Sequence, residues 1–203
     1  IVPVVNKVND DEVTLTYQIE EGPKVKIKSI VIEGNKAISK KEIKKAIQTS
    51  EWWLFSFFTS SGYYKKDEMN FDVERIKNLY FNKGYIKVAV SDPKIQLTED
   101  KKGMIISIMI SEGEQYRISS VDITGNKAFP EAELRKKIKS APKSVFSRAR
   151  LRSDVAALGE TYSEKGYALV NVAPDIEPDD AARQVRITFK IDEGSIYKIG
   201  RIN

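Results

Sequence analysis

One block of this sequence occurs twice, and that repeat constrains the fold more than any other feature. Val25–Gln48 (VKIKSIVIEGNKAISKKEIKKAIQ) lies over Tyr116–Lys139 (YRISSVDITGNKAFPEAELRKKIK) without a gap. Gly-Asn-Lys-Ala stands in both, at Gly34–Ala37 and Gly125–Ala128. Lys-Gly-Tyr recurs at Lys83–Tyr85 and Lys165–Tyr167, and Glu-Gly at Glu21-Gly22, Glu112-Gly113 and Glu193-Gly194. Gly22, Gly113 and Gly194 are 91 and 81 residues apart, the difference coming mostly from a longer middle in the first full copy. Ile1–Gly22 matches the closing third of a copy and Tyr197–Asn203 the opening of another. The chain therefore reads as a tail, two complete units and a beginning, cut from a longer array.

Each copy reads as β-α-α-β-β. The opening strand carries Ile27, Ile30 and Ile32, or Ile118, Val121 and Ile123. Gly34-Asn35 and Gly125-Asn126 supply a turn, because both residue types tolerate positive φ. Ser39 and Glu42 form a capping box for the first helix, with Ile38 and Ile43 as its hydrophobic staple. In the second copy Pro130 takes the Ser39 slot, between Phe129 and Leu134. Met69, Val73, Ile76 and Tyr80 mark one buried stripe of the second helix, matched by Leu151, Val155, Leu158 and Tyr162. Gly84 and Gly166 follow as C′ residues. A hairpin closes each unit. Val185, Ile187, Phe189 and Ile191 alternate with Arg186, Thr188, Lys190 and Asp192, and Val13, Leu15, Tyr17 and Ile19 with Thr14, Thr16, Gln18 and Glu20. Period two predicts one covered face and one solvated face. The expected fold is thus α+β: tandem units, each a three-stranded mixed sheet of order 1-3-2 covered on one face by two helices. Strand two is left as an open edge.

Composition narrows the chemistry. The 34 basic and 29 acidic residues interleave, so the net charge of +5 forms no basic stripe of the kind nucleic acid requires. There is no His and no Cys, which excludes Ser–His triads, thiol nucleophiles, thiolate zinc sites and disulfides. No cofactor or metal site is expected, and the chain reads as non-catalytic. It starts on a strand-like run without a signal peptide and has no apolar run of about 18 residues to span a bilayer as a helix. As given, it is expected to be soluble.

Gly-Asn after the first strand, Lys-Gly-Tyr after the second helix and Glu-Gly after the third strand, in that order and repeated, resemble the POTRA domain. In the first full copy Trp52-Trp53, Gly84-Tyr85 and Leu97–Tyr116 (LTEDKKGMIISIMISEGEQY) resemble the third POTRA domain of the BamA family, central to outer-membrane β-barrel assembly. On that resemblance residues 1–22 end a second domain, 23–114 form the third, 115–195 the fourth, and a fifth begins at Ile196. The resemblance implies a periplasmic segment of a Gram-negative outer-membrane protein whose membrane-anchored barrel lies outside this chain. It implies as partners unfolded outer-membrane β-barrel proteins and assembly lipoproteins, with the third domain's edge contacting the lipoprotein BamB. A related transporter's POTRA region is the alternative, and so is an architectural spacer or docking arm with no direct client binding.

The second strand of the first copy is the candidate partner-binding edge. Ile86, Val88 and Val90 put the apolar side on even numbers, but Ile95 and Leu97 put it on odd, which an unbroken strand cannot do. A bulge or break around Ser91-Asp92-Pro93 would reset the phase. The second copy has Pro174 nearby but no flip, since Val170, Val172 and Ile176 stay even. Pro93 reads either as protection of an edge from aggregation or as part of an edge that takes up an extended partner strand by β-augmentation. For the latter, Tyr85, Lys87, Ala89, Ser91, Asp92, Lys94 and Gln96 are the outward candidates, and Val88→Pro is expected to abolish pairing. The wet face of strand three carries Ile105, Ser107 and Met109, and the apolar Ile105 and Met109 mark a second contact or a surface buried by a neighbouring segment. The aromatic run Trp52–Phe58, with Trp52 and Trp53 as possible contacts, reads as rings plugging the gap between helices and sheet, the rest forming a sticky loop without a basic face. Glu99-Asp100 and Asp179-Asp180 start hairpin turns, and Lys24, Lys26 and Lys28 form a solvated strand edge. Gly34, Asn35, Gly84, Tyr85, Gly113, Gly125, Asn126, Gly166, Tyr167 and Gly194 are assigned structural roles.

Overall fold

A computed structural model describes residues 2–7, 13–18, 25–59, 61–197 and 200. Ile19, Glu20, the pair Glu21-Gly22, the joint up to Pro23, Lys24 and most of the closing heptad lie outside the described residues. Strands β1 (Val2–Lys7) and β2 (Val13–Gln18) form an antiparallel hairpin. The first full unit follows: β3 (Lys26–Glu33), α1 (Lys40–Ala46), a one-turn α2 (Ser56–Thr59), α3 (Lys66–Asn82), β4 (Ala89–Val90), β5 (Lys94–Leu97) and β6 (Gly103–Ser111). The second comprises β7 (Arg117–Thr124), α4 (Glu131–Arg135), α5 (Arg148–Ser163), β8 (Asn171–Asp179) and β9 (Gln184–Asp192).

Strand three is central in both units. β6 pairs β3 in parallel and β4 and β5 antiparallel, while β9 pairs β7 in parallel and β8 antiparallel, giving the expected order 1-3-2. Ile27, Ile30 and Ile32 face the helices with Ile106, Ile108 and Ile110, and all are buried. Their equivalents Ile118, Val121, Ile123, Val185, Ile187, Phe189 and Ile191 do the same in the second unit. The step from 27 to 30 breaks period two because a register shift follows Ile27, and the same shift follows Ile118. Burying each such side chain contributes about 1.5–3 kcal/mol. That burial, rather than intrinsic propensity, keeps α1 and α4 folded, since both are far shorter than an isolated helix can be.

The caps follow the residue chemistry with two adjustments. Ser39 Oγ accepts from Glu42 N–H at 3.2 Å, but the Glu42 carboxylate pairs with Lys83 across the unit at 2.7 Å, so only half of the expected box forms. After the long helices, Tyr85 N–H reaches back to Tyr80 O at 3.0 Å and Tyr167 N–H to Tyr162 O at 3.2 Å. These closures require the left-handed backbone of Gly84 and Gly166. In the tail hairpin the expected covered face is absent among the described residues, and both Leu15 and Tyr17 are exposed.

Two of the repeated motifs and the long helix converge on one carboxylate. Glu112 accepts from Lys36 and Ala37 N–H at 2.9 Å and from Tyr80 Oη at 2.8 Å. Glu193 accepts from Ala128 N–H at 2.7 Å and Tyr162 Oη at 2.9 Å. Asn35 and Asn126 close the same turn by donating to Ile38 O and Phe129 O. At Gly34 an added Cβ would stand 2.0 Å from Ile110 O, and at Gly125 the same distance from Ile191 O, so no side chain fits beneath the turn. A second carboxylate, unforeseen from the sequence, lies buried in each long helix. Asp72 accepts from Gln48 and Thr49 N–H at 2.8 Å, and Asp154 from Lys139 and Ser140 N–H at 2.7 and 2.9 Å. Each holds the backbone leaving the first helix. The signal was available: Asp stands at matched positions inside two otherwise apolar stripes.

Burial alone would push the Glu112 carboxyl up, but hydrogen bonds from Ala37, Tyr80, Lys36 and Ile38 outweigh it and hold the group below its ordinary value. A depressed folded-state pKa gives stability that is complete above the unfolded carboxylate pKa and is lost as pH falls through the folded one. Glu112→Gln is therefore expected to lower unfolding stability at neutral pH by about 2 kcal/mol, the scale of hydrogen bonds to a charged group. The deficit relative to the parent should shrink on acidification; urea denaturation across that range measures it, and a pH-independent deficit would count against the clamp.

Candidate docking edge and inter-unit joint

The edge of the first unit is broken where the parity of its apolar residues changes. Val90 pairs Ile110, Ile95 pairs Ile106 and Leu97 pairs Met104, so all three face the helix side despite the even-to-odd change. Ser91 N–H donates to Met109 O at 2.9 Å, and Lys94 lies across from Ser107. Asp92 and Pro93 together stand opposite Ile108, which is the one-residue excess of a bulge. Ser91 Oγ accepts from Met109 N–H at 3.0 Å and replaces a ladder bond at the break. β8 has no such interruption, and its register is continuous through Pro174.

The sequence-derived edge residues separate into two groups. Ala89, Ser91, Asp92, Lys94 and Gln96 lie on or beside the edge as expected. Tyr85 and Lys87 do not, because the helix closure continues into a turn and the strand starts only at Ala89. Tyr85 packs edge-on against Tyr80 with ring centroids 5.7 Å apart. Val88, read from the sequence as mid-strand, is buried with its N–H turned to Tyr85 O, so proline there would test the core rather than the edge.

Two residues outside the predicted set complete the edge. Thr98 N–H donates to Gly103 O at 2.8 Å. In antiparallel alternation, Gln96 and Lys94 then bond across to β6, while Ile95 and Leu97 turn their N–H and C=O groups to the open side. The side chains of Ile95 and Leu97 are 41% and 57% exposed, because the helices do not extend over this end of the sheet. On the opposite face Met109 is exposed and Ile105 half-buried. The edge thus offers open backbone pairs together with uncovered apolar side chains.

The rings of the aromatic run whose side chains are described do not plug the core. Trp52 is half-buried, with the Lys26 ammonium 3.6 Å from its ring centroid, so Lys26 is a packing partner rather than only a solvated edge residue. Trp53, Leu54, Phe55 and Phe58 are exposed, because the layer between helices and sheet is already filled by Ile43, Met69 and Ile76.

A joint connects the two full units through the Lys-Gly-Tyr motif. Tyr116 N–H donates to Gly84 O and Tyr197 N–H to Gly166 O, both at 2.8 Å, so the segment leaving each unit is tied to the preceding helix closure. Gln115 Nε2 donates to Lys83 O at 2.9 Å, and Asn82 Oδ1 accepts from Ala149 N–H in the first turn of α5 at 2.8 Å. Ile86 packs into the core of the second unit. Asp180 was expected only to start a hairpin turn. Its carboxylate instead accepts from Tyr116 Oη at 2.7 Å and pairs with Lys87, while its neighbour Asp179 caps the turn at Ala182 N–H. Lys87 and Tyr116 hold the Asp180 carboxyl below the usual range. Gly113 and Gly194, also at positive φ, lie beside Lys87 and Leu169.

A family model, POTRA, described as "Surface antigen variable number repeat", matches residues 25–113 and 116–194. The chain is 31% identical over 194 residues to the outer membrane protein assembly factor BamA of Buchnera aphidicola, covering 95% of this chain and 31% of that protein. It is 26% identical to BamA of Neisseria meningitidis, covering all of this chain and 26% of that protein. The chain therefore spans less than a third of the length of these curated relatives. The crystal structure of Haemophilus influenzae BamA POTRA3-5 shares the fold, with a TM-score of 0.67 at 23% identity over 86% of this chain and 68% of that one.

If the joint couples the units, Asp180→Ala should leave each unit's stability within about 0.5 kcal/mol, as for an exposed substitution. It should nevertheless let the two tumble more independently, which amide relaxation reports as diverging correlation times. Acidification should loosen the parent in the same way as pH falls through the depressed Asp180 pKa. A single shared correlation time in the variant would remove Asp180 from the coupling.

Proposed function

The chain belongs to the POTRA family, and from that premise we propose that it is part of the periplasmic arm of a BamA-type outer-membrane β-barrel assembly factor. Residues 23–114 act as its third POTRA domain and 115–195 as its fourth. The arm is a scaffold without catalysis. It engages unfolded barrel proteins transiently and docks an assembly lipoprotein such as BamB. The observation that carries this reading is the β4–β5 edge. A strand added there would bond to the outward N–H and C=O groups of Ile95 and Leu97 and cover their half-exposed side chains. Backbone pairing makes few demands on sequence, which suits many different barrel strands. The bulge at Asp92-Pro93 limits the open run and keeps permanent edge-to-edge association in check.

A docking arm that holds a folded partner and leaves clients to other parts of the machine is the second reading. The joint favours it, because units tied through Gly84, Asn82 and Asp180 suit an element that sets distance and angle.

Amide NMR titration of the chain with a barrel-strand peptide, and separately with BamB, distinguishes the two. Peptide shifts centred on 94–97 support client pairing; silence with peptide and localised shifts with BamB support the docking arm. Ile95→Pro removes an N–H that faces away from β6 and leaves the ladder bonds of Lys94 and Gln96 in place. It is expected to weaken edge binding about tenfold, the loss of roughly one backbone hydrogen bond plus steric exclusion. Undiminished binding in the folded variant excludes pairing at this edge.

A further inference from the structure

The two units differ most at one point on the first strand. In the second unit Lys143 N–H donates to Ile118 O at 2.7 Å and Ile118 N–H donates to Ser144 O at 2.8 Å. In the first, the same two bonds on Ile27 come from Trp52 N–H and go to Gly62 O, both at 2.8 Å. Adjacent residues in one unit thus correspond to residues separated by nine others in the other, 53–61. The inserted chain is a loop pinned at both ends on Ile27. At Gly62 an added Cβ would lie 2.5 Å from Trp52 Cα, so the ends are drawn as close as backbone allows. The second unit closes its core without this loop, so the fold does not require it.

The loop is inside out. Ser56 is fully buried, its Oγ accepting from Trp53 N–H at 2.9 Å and from Ser61 Oγ at 3.2 Å. Trp53, Leu54, Phe55 and Phe58 are 56%, 69%, 51% and 76% exposed. Residues 53–61 contain no charged side chain. Around the base the fold collects cations that are far apart in sequence. Lys26 lies on the Trp52 ring, and Lys28 and Lys102 line the same depression as Trp52. Lys65 and Lys66 follow where the loop rejoins the unit. None of these five makes an ion pair among the described residues. Asp100, the acidic group in that depression, accepts from Thr98 Oγ1 and Lys102 N–H.

We propose that this loop is a bilayer anchor. Trp53, Leu54, Phe55 and Phe58 enter the boundary between headgroups and acyl chains, and Lys28, Lys65, Lys66 and Lys102 meet the phosphates of an anionic phospholipid surface. A convex apolar tip with a basic collar is the arrangement that interfacial binding requires. The tip has no charged group with which to select a protein partner. The inference is independent of the edge-pairing reading.

Both tryptophans of the chain, Trp52 and Trp53, belong to this feature, so intrinsic emission reports on it alone. The whole chain is mixed with vesicles of phosphatidylethanolamine and phosphatidylglycerol, or of phosphatidylcholine alone. A blue shift, quenching by brominated acyl chains and co-sedimentation that weakens with salt are expected with the anionic vesicles. Trp53→Ser, Leu54→Ser and Phe58→Ser combined should reduce partitioning by about tenfold or more, because binding scales with buried apolar area. Deletion of 53–61, which copies the second unit's connection, should do the same, with the thermal melt by circular dichroism confirming the fold of both variants. Unchanged emission of the parent with vesicles overturns the proposal, as does parent-like partitioning of either folded variant. Self-association that the triple variant abolishes, with vesicles without effect, also overturns it and assigns the loop to contact between copies.

Discussion

The carboxylate that ends the central strand is the point on which each unit closes. Glu112 and Glu193 stand where three chain segments must meet: the turn after the first strand, the end of the long helix and the exit of the third strand. A turn of successive N–H groups needs an acceptor, a buried tyrosine hydroxyl needs a partner, and one carboxylate serves both. The arrangement works only because Gly34 and Gly125 bring the turn into contact with the carbonyl of the strand's penultimate residue, Ile110 or Ile191. Asp72 and Asp154 perform the corresponding task at the other end of the helix pair. With both ends fixed by charge-assisted hydrogen bonds, the isoleucine-rich layer between needs only the right volume.

Because that frame is shared, the differences between the two units stand out as additions to it. The first has a one-residue bulge in its edge strand and a nine-residue loop on its first strand, whereas the second has a continuous edge and a direct connection. Both additions lie at the periphery of the sheet, where backbone groups and apolar side chains are uncovered. A frame held at its two ends can carry such changes without loss of the core, which is how units of one fold acquire different surfaces.

The joint uses the same economy. The glycine that ends the long helix exposes a carbonyl, and the segment leaving the unit bonds to it, Tyr116 N–H to Gly84 O and Tyr197 N–H to Gly166 O. Successive units are therefore tied through the feature that terminates the helix. Polar contacts from Asn82 and Asp180 then limit rotation about that tie. The tie is a backbone hydrogen bond at each joint, so the units meet through direct contacts.

Repeat, periodicity and turn chemistry determined the element order, the central third strand, the inward faces and the position of the edge bulge, because each depends on neighbours within a few residues. Parity alone located the break at Ser91–Pro93, since side chains on a strand must alternate. The start of the edge strand was misplaced because the helix closure at Tyr85 runs into a turn that keeps Val88 inward, and an apolar residue in a turn looks like one in a strand. Only the tertiary structure decided that Glu112 meets Ala37, that Asp180 crosses to Lys87, that Trp53, Leu54, Phe55 and Phe58 face outward and that lysines from three segments surround the base of their loop. Those outcomes depend on residues tens of positions apart sharing one small volume, and a linear pattern contains no measure of that distance.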